Sequence, residues 1–187
     1  MPEQPLDPRA MRALAHPTRL ALLEVLNLHP SLTATEAGEL IGVSPTNCAF
    51  HLRTLGKYGF VEEIPTGPGR RRPWRVKQAD LSFSEAQEEP ETAQAARALS
   101  DVMLERWLAR IRAVQAGRHT WPAAWLEVLG GSQTIVYATP QETKDLIDDL
   151  RAVLSRHEER ARDPESRPED AAAVEVLLFA QPFAAQL

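Results

Sequence analysis

The sequence predicts a mainly α-helical protein with a small β component, and three observations support this fold class. Proline directly follows a capping residue at Ser44-Pro45 and Thr139-Pro140, where its missing N–H costs nothing at a helix start. Apolar residues recur three or four positions apart over long segments, as in amphipathic helices. Two short strand-like runs flank a loop of glycine, proline and arginine, which indicates a hairpin. We expect a winged helix-turn-helix domain at residues 1–80, a linker and long helix at 81–119, and a small α+β domain at 120–187.

The composition is that of an ordinary globular protein, with 187 residues, 43% of them hydrophobic and 25% charged. No apolar run approaches the roughly 18 residues needed to cross a bilayer. The opening MPEQPLDPRA has neither the basic flank nor the apolar core of a secretory signal. The single cysteine, Cys48, excludes an intramolecular disulfide and a multi-thiolate metal site within one chain. We therefore expect a cytoplasmic protein without membrane contacts.

The net charge of −5 is unevenly distributed along the chain. Residues 1–80 have ten Lys/Arg against eight Asp/Glu, whereas residues 81–187 have eleven against eighteen. Within the first part, residues 44–77 hold seven basic side chains and only two acidic ones. A basic segment inside an acidic protein needs an explanation, because the overall charge would repel a polyanion.

Two helices are predicted in LDPRAMRALAHPTRLALLEVLNL, near the start of the chain. Pro8 and Pro17 each suit a first helical turn, so we place a short helix at 8–15 and a longer one at 17–28. The leucines and valine of the second segment form its apolar stripe.

A helix-turn-helix is predicted next. Thr33-Ala-Thr-Glu36 has the capping-box pattern, and Gly42 supplies a left-handed stop. Ser44 then caps a second helix over 45–58, which Gly59 ends. Two short helices joined by such a turn form a helix-turn-helix.

A short hairpin is predicted after these helices, with strands at 60–65 and 74–77. The loop between them, TGPGRRRP, displays Arg70, Arg71 and Arg72. A hairpin that follows a helix-turn-helix makes a winged helix.

The long helix is predicted over residues 90–116. Its apolar residues Leu99, Met103, Trp107, Ile111 and Val114 are spaced by four, four, four and three. This stripe lies outside the winged helix and needs a cover: a second copy of the chain, or the chain's own C-terminal sheet. In the first case the chain is a homodimer, and the interface residues are Leu99, Met103, Trp107 and Ile111.

The C-terminal domain is predicted to contain strands at 134–138 and 173–180 and a helix that begins after Thr139. The segment 125–129 fits either a strand or a short helix. An unknown small-molecule effector is a possible partner of this domain. Three aromatic residues could line its pocket, although aromatics are more often core: Trp121, Trp125 and Tyr137.

The outward face of the 45–58 helix has the chemistry of a DNA reader. An α-helix fits the major groove, where Asn47 can pair bidentately with adenine and Arg53 with guanine. Phe50 can contact a thymine methyl group, or alternatively pack under the wing or against a second subunit. The wing arginines suit a narrow minor groove or its flanking phosphates. The predicted DNA-binding residues are Ser44, Thr46, Asn47, Phe50, Arg53, Thr54, Lys57, Arg70, Arg71 and Arg72.

Other kinds of site have no support in the sequence. None of the five histidines has zinc-like spacing with a second ligand, and there is no phosphate-binding glycine motif or nucleophile elbow. We expect no catalytic residue, no cofactor and no metal. Cys48, on the apolar stripe of the 45–58 helix, is expected to be a small core residue, and His51, at the flank of that stripe, a packing or hydrogen-bonding residue.

The stretches LAHPTRLALLEVL and ATEAGELIGVSPTNCAFHLRTLGKYGFVEE resemble the DNA-binding domain of the bacterial ArsR-type winged-helix repressors. The resemblance covers residues 6–77, and GRRRPWR is similar to the wing of a subgroup with a C-terminal extension. It implies a homodimeric regulator of transcription, a repressor, on a palindromic operator of double-stranded DNA.

Two departures limit what the resemblance implies. Many members sense metals through a cysteine pair on the helix before the recognition helix, and the matching TATEAGEL has no cysteine. The family often has Ser-Arg where this chain has Ala49-Phe50, so the operator sequence does not transfer. Two alternatives stay open: a ligand-responsive regulator, and a winged helix that binds protein and no DNA.

Overall fold

The computed structural model describes residues 6–65, 72–77, 83, 85–128, 130–157, 160 and 163–182. These residues form a mostly helical protein with a two-stranded sheet, an N-terminal helix-turn-helix and one long helix, which confirms the predicted fold class. Its contacts divide the chain into two compact units, residues 1–126 and 127–187.

The first unit begins with four short helices whose starts follow from local capping chemistry. The side chain of Asp7 accepts a hydrogen bond from the N–H of Ala10 at 2.8 Å, and His16 caps the second helix in the same way through Nδ1. The helices are α1 (Pro8–Leu14), α2 (Pro17–Leu28), α3 (Ala34–Ile41) and α4 (Pro45–Lys57).

The turn between α3 and α4 has the predicted caps. Thr33 and Glu36 bond reciprocally, and the carboxylate of Glu36 accepts from the Thr33 N–H at 2.8 Å. Gly42 ends α3 at a φ of 70°, a left-handed conformation that favours glycine. Gly38 allows the turn to fold closely against α3, because a Cβ there would lie 2.5 Å from the carbonyl oxygen of Val43.

The wing is an antiparallel pair of three-residue strands, β1 (Val61–Glu63) and β2 (Trp74–Val76), shorter than predicted. It is held to the helix-turn-helix by a bridge that sequence patterns did not reveal. The N–H of Leu32 donates to the carbonyl of Trp74 at 2.9 Å, and Trp74 donates back at 2.8 Å. The wing therefore has a defined position beside the segment that precedes α3.

The N-terminal half of the long helix α5 (Pro90–Gly117) packs mainly against α1, and this contact attaches α5 to the rest of the first unit. Leu99 is fully buried in the same core, and Met103 packs against it. The prediction that Leu99 belongs to a dimer interface is therefore wrong, because α1 and its neighbours already cover that side chain. At this end of the stripe the cover is the chain's own helical domain.

A short helix, α6 (Ala123–Val128), settles the open choice between strand and helix for that segment in favour of a helix. The second unit contains α7 (Pro140–Ser155), which begins at the predicted capping box of Thr139 and Glu142.

The strands predicted at 134–138 and 173–180 are absent from the described residues of the second unit. Both segments lack regular structure, and Tyr137 is 89% exposed. Apolar and β-branched residues favour a strand locally, but a strand also needs a hydrogen-bonded neighbour, and neither segment forms a ladder here. The exposure of Tyr137 also gives no support to an aromatic pocket. Over the described ranges, no helix combines the length and apolar character needed to span a membrane.

Candidate nucleic-acid interface

The outward side of α4 presents a continuous row of exposed side chains. At about 100° per residue, Thr46, Phe50, Arg53 and Lys57 fall on one side of the helix. All four are exposed, as is Asn47 beside them. The opposite side is the buried face, formed by Cys48, His51, Leu52 and Leu55. The helix therefore projects its polar residues away from the core, as the sequence predicts.

Two predicted DNA contacts already use their hydroxyl groups within the helix. The Oγ of Ser44 accepts from the N–H of Asn47 at 3.4 Å and so serves as the N-cap. Thr54 is half-buried, and its hydroxyl donates to the carbonyl oxygen of Phe50 at 3.1 Å. Each hydroxyl oxygen can still accept a further hydrogen bond, but both hydroxyl groups already bond backbone atoms of α4.

Phe50 is 61% exposed, so it does not pack under the wing. Its ring meets the ring of His51 edge-on, with 5.3 Å between centroids. That contact limits where the phenylalanine can point while most of its apolar surface stays open. The side chain is available to an apolar group on a partner.

The wing brings one described arginine next to α4. Arg72 and Arg53 line the same open groove, which lies between α4, the wing and the start of α3. The groove is also lined by the carboxylates of Glu36, Glu39 and Glu63. Cations from the helix and from the wing therefore face one space, as contact with a single duplex requires.

Two arginines of the hairpin have acidic partners that were not predicted from the sequence. Arg75 of β2 pairs with Glu62 of β1 at 2.7 Å, and Arg72, two residues before β2, pairs with Glu63 of β1 at 3.3 Å. Glutamates in one strand of the hairpin and arginines in or beside the other are the signal that could have revealed them. Exposed pairs of this kind contribute only about 0–1 kcal/mol, so a phosphate can compete for either arginine. Arg70 and Arg71 lie outside the described residues.

Two histidine rings, one of them on the buried face of α4, pack against each other. The rings of His16 and His51 lie 4.5 Å apart between centroids, and Nδ1 of His16 accepts from the N–H of Thr18 at 3.2 Å. Burial lowers the pKa of both imidazoles, and the Arg19 guanidinium lowers them further; for His51 the neighbouring His16 also contributes. This geometry requires His16 to be neutral, since an imidazolium cannot accept a hydrogen bond.

Acidification is therefore expected to destabilise the first unit. The folded-state pKa values are depressed, so the unfolded chain binds more protons once the pH falls below the ordinary histidine value of about 6.5, and stability is lost in that direction. Urea unfolding at a series of pH values between 7.5 and 5 checks this. A His51→Gln variant should show a weaker pH dependence than the wild type, whereas His119→Gln, at an exposed histidine, should not. Equal slopes for all three proteins would contradict the assignment.

Cys48 is a core residue, as predicted. Its side chain is fully buried, and burial raises the pKa of the thiol, which disfavours the reactive thiolate. Within the described ranges, no group of three or more His, Cys, Asp or Glu side chains is placed to hold a metal ion.

Comparison with known families agrees with this geometry. Residues 14–64 match a family model described as a helix-turn-helix domain. The match runs from the end of α1 to the end of the first wing strand, so it includes α3, the turn and α4 with its cap. It supports a DNA-binding regulator of the helix-turn-helix class. No curated protein matches the chain.

The predicted dimer residues occupy three different environments on α5. Leu99 and Met103 face the chain's own core, Trp107 is half-buried, and Ile111 is 38% exposed. Sequence reasoning overlooked Leu104 and Leu108, which are 44% and 40% exposed and share a face with Ile111. Their spacing of four and then three is itself helical, so α5 has a second apolar stripe beside the first.

Proposed function

We propose that the protein is a sequence-specific DNA-binding regulator of transcription that acts as a homodimer on a palindromic operator. The observation that carries this proposal is the exposed polar and aromatic side of α4 within a helix-turn-helix, whose Arg53 lines the same groove as Arg72 of the wing. The resemblance to ArsR-type proteins favours repression as the direction of regulation.

Base recognition is assigned to α4 in the major groove. Arg53 suits the two acceptors of guanine, Asn47 the acceptor and donor of adenine, and Phe50 the methyl group of thymine. Thr46 and Lys57, on the same exposed side, suit phosphates at the edges of the contact. The buried face holds the helix at a set depth in the domain, so these side chains have a defined orientation.

Backbone contact is assigned to the wing. Arg72 is 71% exposed and can exchange its Glu63 partner for a phosphate oxygen. Arg70 and Arg71 would extend this contact toward the minor groove, as the sequence predicts.

Dimerisation is assigned to the exposed stripe of α5, made of Leu104, Leu108 and Ile111. A palindromic operator presents two equivalent half-sites, so its reader requires two equivalent copies of α4. A twofold contact between two copies of this stripe would bury apolar surface that one chain leaves in solvent. We assign the protein no catalytic activity and place it in the cytoplasm, where such a regulator meets DNA.

A salt titration with duplex DNA tests the proposal against a winged helix that binds only protein. The exposed basic side chains of α4 and the wing predict measurable binding to random duplex at low salt, with a logarithm of the affinity that falls linearly as the logarithm of the salt concentration rises. Fluorescence anisotropy of a labelled duplex gives both the affinity and the slope. No binding at low salt would contradict the proposal and favour a protein-interaction role.

A further inference from the structure

A single carboxylate on α2 holds two arginines of α5. The Nε–H of Arg106 donates to Oε1 of Glu24 at 2.9 Å, and a second nitrogen of the same guanidinium bonds Oε2. Arg110, one turn further along α5, also bonds Oε1 of Glu24. Arg106 in addition donates to the carbonyl oxygen of Pro17 at 3.4 Å, at the start of α2.

This cluster is less exposed than a typical surface ion pair. The side chains of Glu24, Arg106 and Arg110 are 34%, 25% and 30% exposed. The pair between Arg12 of α1 and Glu91 of α5 provides a contrast, with side chains 46% and 71% exposed. Bidentate and partly buried pairs hold their geometry more firmly than exposed single contacts.

The cluster lies where the core contacts of α5 end. Beyond Met103, no described residue of α5 belongs to the buried core of the first unit. Arg106 and Arg110 therefore attach the helix to α2 beyond the reach of the apolar contacts. Since α2 packs directly on α4, this attachment also relates the direction of α5 to the reading helix.

The apolar stripe lies on the other side of the same helix. Arg106 follows Leu104 by two positions and Arg110 follows Leu108 by two, which places each arginine about 200° around the helix from the preceding leucine. One face of α5 is thus tied to α2, which belongs with α1, α3, α4 and the wing to the DNA-reading unit (residues 6–77), while the opposite face presents Leu104, Leu108 and Ile111 to solvent.

We infer that Glu24 is a positioning residue: by clamping Arg106 and Arg110 it sets the angle between α5 and the DNA-reading unit, and so selects the spacing between the two operator half-sites. This inference rests on the proposed homodimeric function. In a dimer joined through α5, the separation and orientation of the two α4 helices follow from the direction in which each α5 leaves its own domain. If this angle is fixed, the dimer binds one half-site spacing best; if the angle varies, the dimer binds several spacings with similar affinity.

The test compares binding to a set of duplexes that carry the same two half-sites with spacers of different length. The proteins are wild type, Glu24→Gln and the matched control Glu91→Gln, which removes the exposed pair with Arg12. Wild type and control should bind one spacing best. Glu24→Gln should lose about tenfold in affinity at that spacing, as expected for a partly buried charged pair, and should bind neighbouring spacings almost equally well. Its affinity for a single half-site should stay unchanged.

A second variant keeps the inference testable if Glu24→Gln unfolds. Arg106→Lys retains the charge but loses the bidentate geometry, so it should flatten the spacing profile while its thermal unfolding stays near that of wild type. A sharp, unshifted profile in either folded variant would overturn the inference and leave the proposed function intact. Failure of the wild-type protein to bind any duplex would overturn the proposed function, and the inference with it.

Discussion

Replacing Arg53 with alanine is expected to relax sequence preference at one base pair of each half-site, at a cost of about 1–3 kcal/mol for the preferred base. Arg53 is exposed on the outward side of α4 and borders the groove that Arg72 also lines. A guanidinium there can form two hydrogen bonds with one guanine, and alanine forms none. Competition binding with duplexes changed at one position at a time measures the effect.

Lys57→Ala is the matched control on the same helix face. Lys57 lies at the last turn of α4, with its ammonium 5.7 Å from the centre of the Tyr58 ring. Its loss should weaken binding to all sequences alike and reduce the salt slope by about one, as for a phosphate contact. Asn47→Ala should behave like Arg53→Ala, at a different base pair. Uniform weakening by both Arg53→Ala and Asn47→Ala would show that α4 does not read bases.

Replacing both Leu104 and Leu108 with aspartate is expected to convert the dimer to a monomer. Operator binding should then weaken by roughly 100-fold or more, because a copy bound at one half-site no longer raises the effective concentration of a second copy at the other. The double change removes two exposed apolar side chains from the proposed interface and puts like charges across the twofold axis. Light scattering coupled to size-exclusion chromatography at micromolar concentration gives the mass.

Two controls separate assembly from folding. Leu28→Asp alters a leucine that is 54% exposed at the end of α2, and should leave the mass at twice that of the chain. Leu99→Ala, in the core, should lower the free energy of unfolding by about 2–5 kcal/mol. A wild-type protein that is monomeric at micromolar concentration, or a double variant that stays dimeric, would rule out this interface.

The parts of the fold that depend on neighbouring residues were predictable. The capping boxes at Thr33 and Thr139 and the Ser44-Pro45 start act within one helical turn, so their sequence patterns sufficed to place helix starts. The outward face of α4 followed from the same logic, because its apolar and polar residues separate at the helical period.

The parts that depend on distant contacts were not predictable. Leu99 matches the helical period as well as Leu104 does, and only packing against α1 decides that one is buried and the other exposed. Glu24 and Arg106 are 82 residues apart in sequence, so no local pattern connects them. The bridge from Leu32 to Trp74 is hidden for the same reason.

The prediction of two C-terminal strands was wrong for a related reason. Segments such as 134–138 have high β propensity, yet a strand exists only where a second segment completes its hydrogen bonds. β propensity describes the segment itself and gives no information about whether a second segment pairs with it. The helix α7, whose hydrogen bonds are all internal, was placed correctly from the same stretch of sequence.

Selection of bound duplexes from a random pool, with the full chain at moderate salt, tests the central claim most directly. The claim predicts enrichment of an inverted repeat, in which each half-site contains a guanine and an adenine that Arg53→Ala and Asn47→Ala respectively cease to select. Recovery of unenriched sequence, or of a single unpaired motif, would contradict a twofold-symmetric reader built on α4.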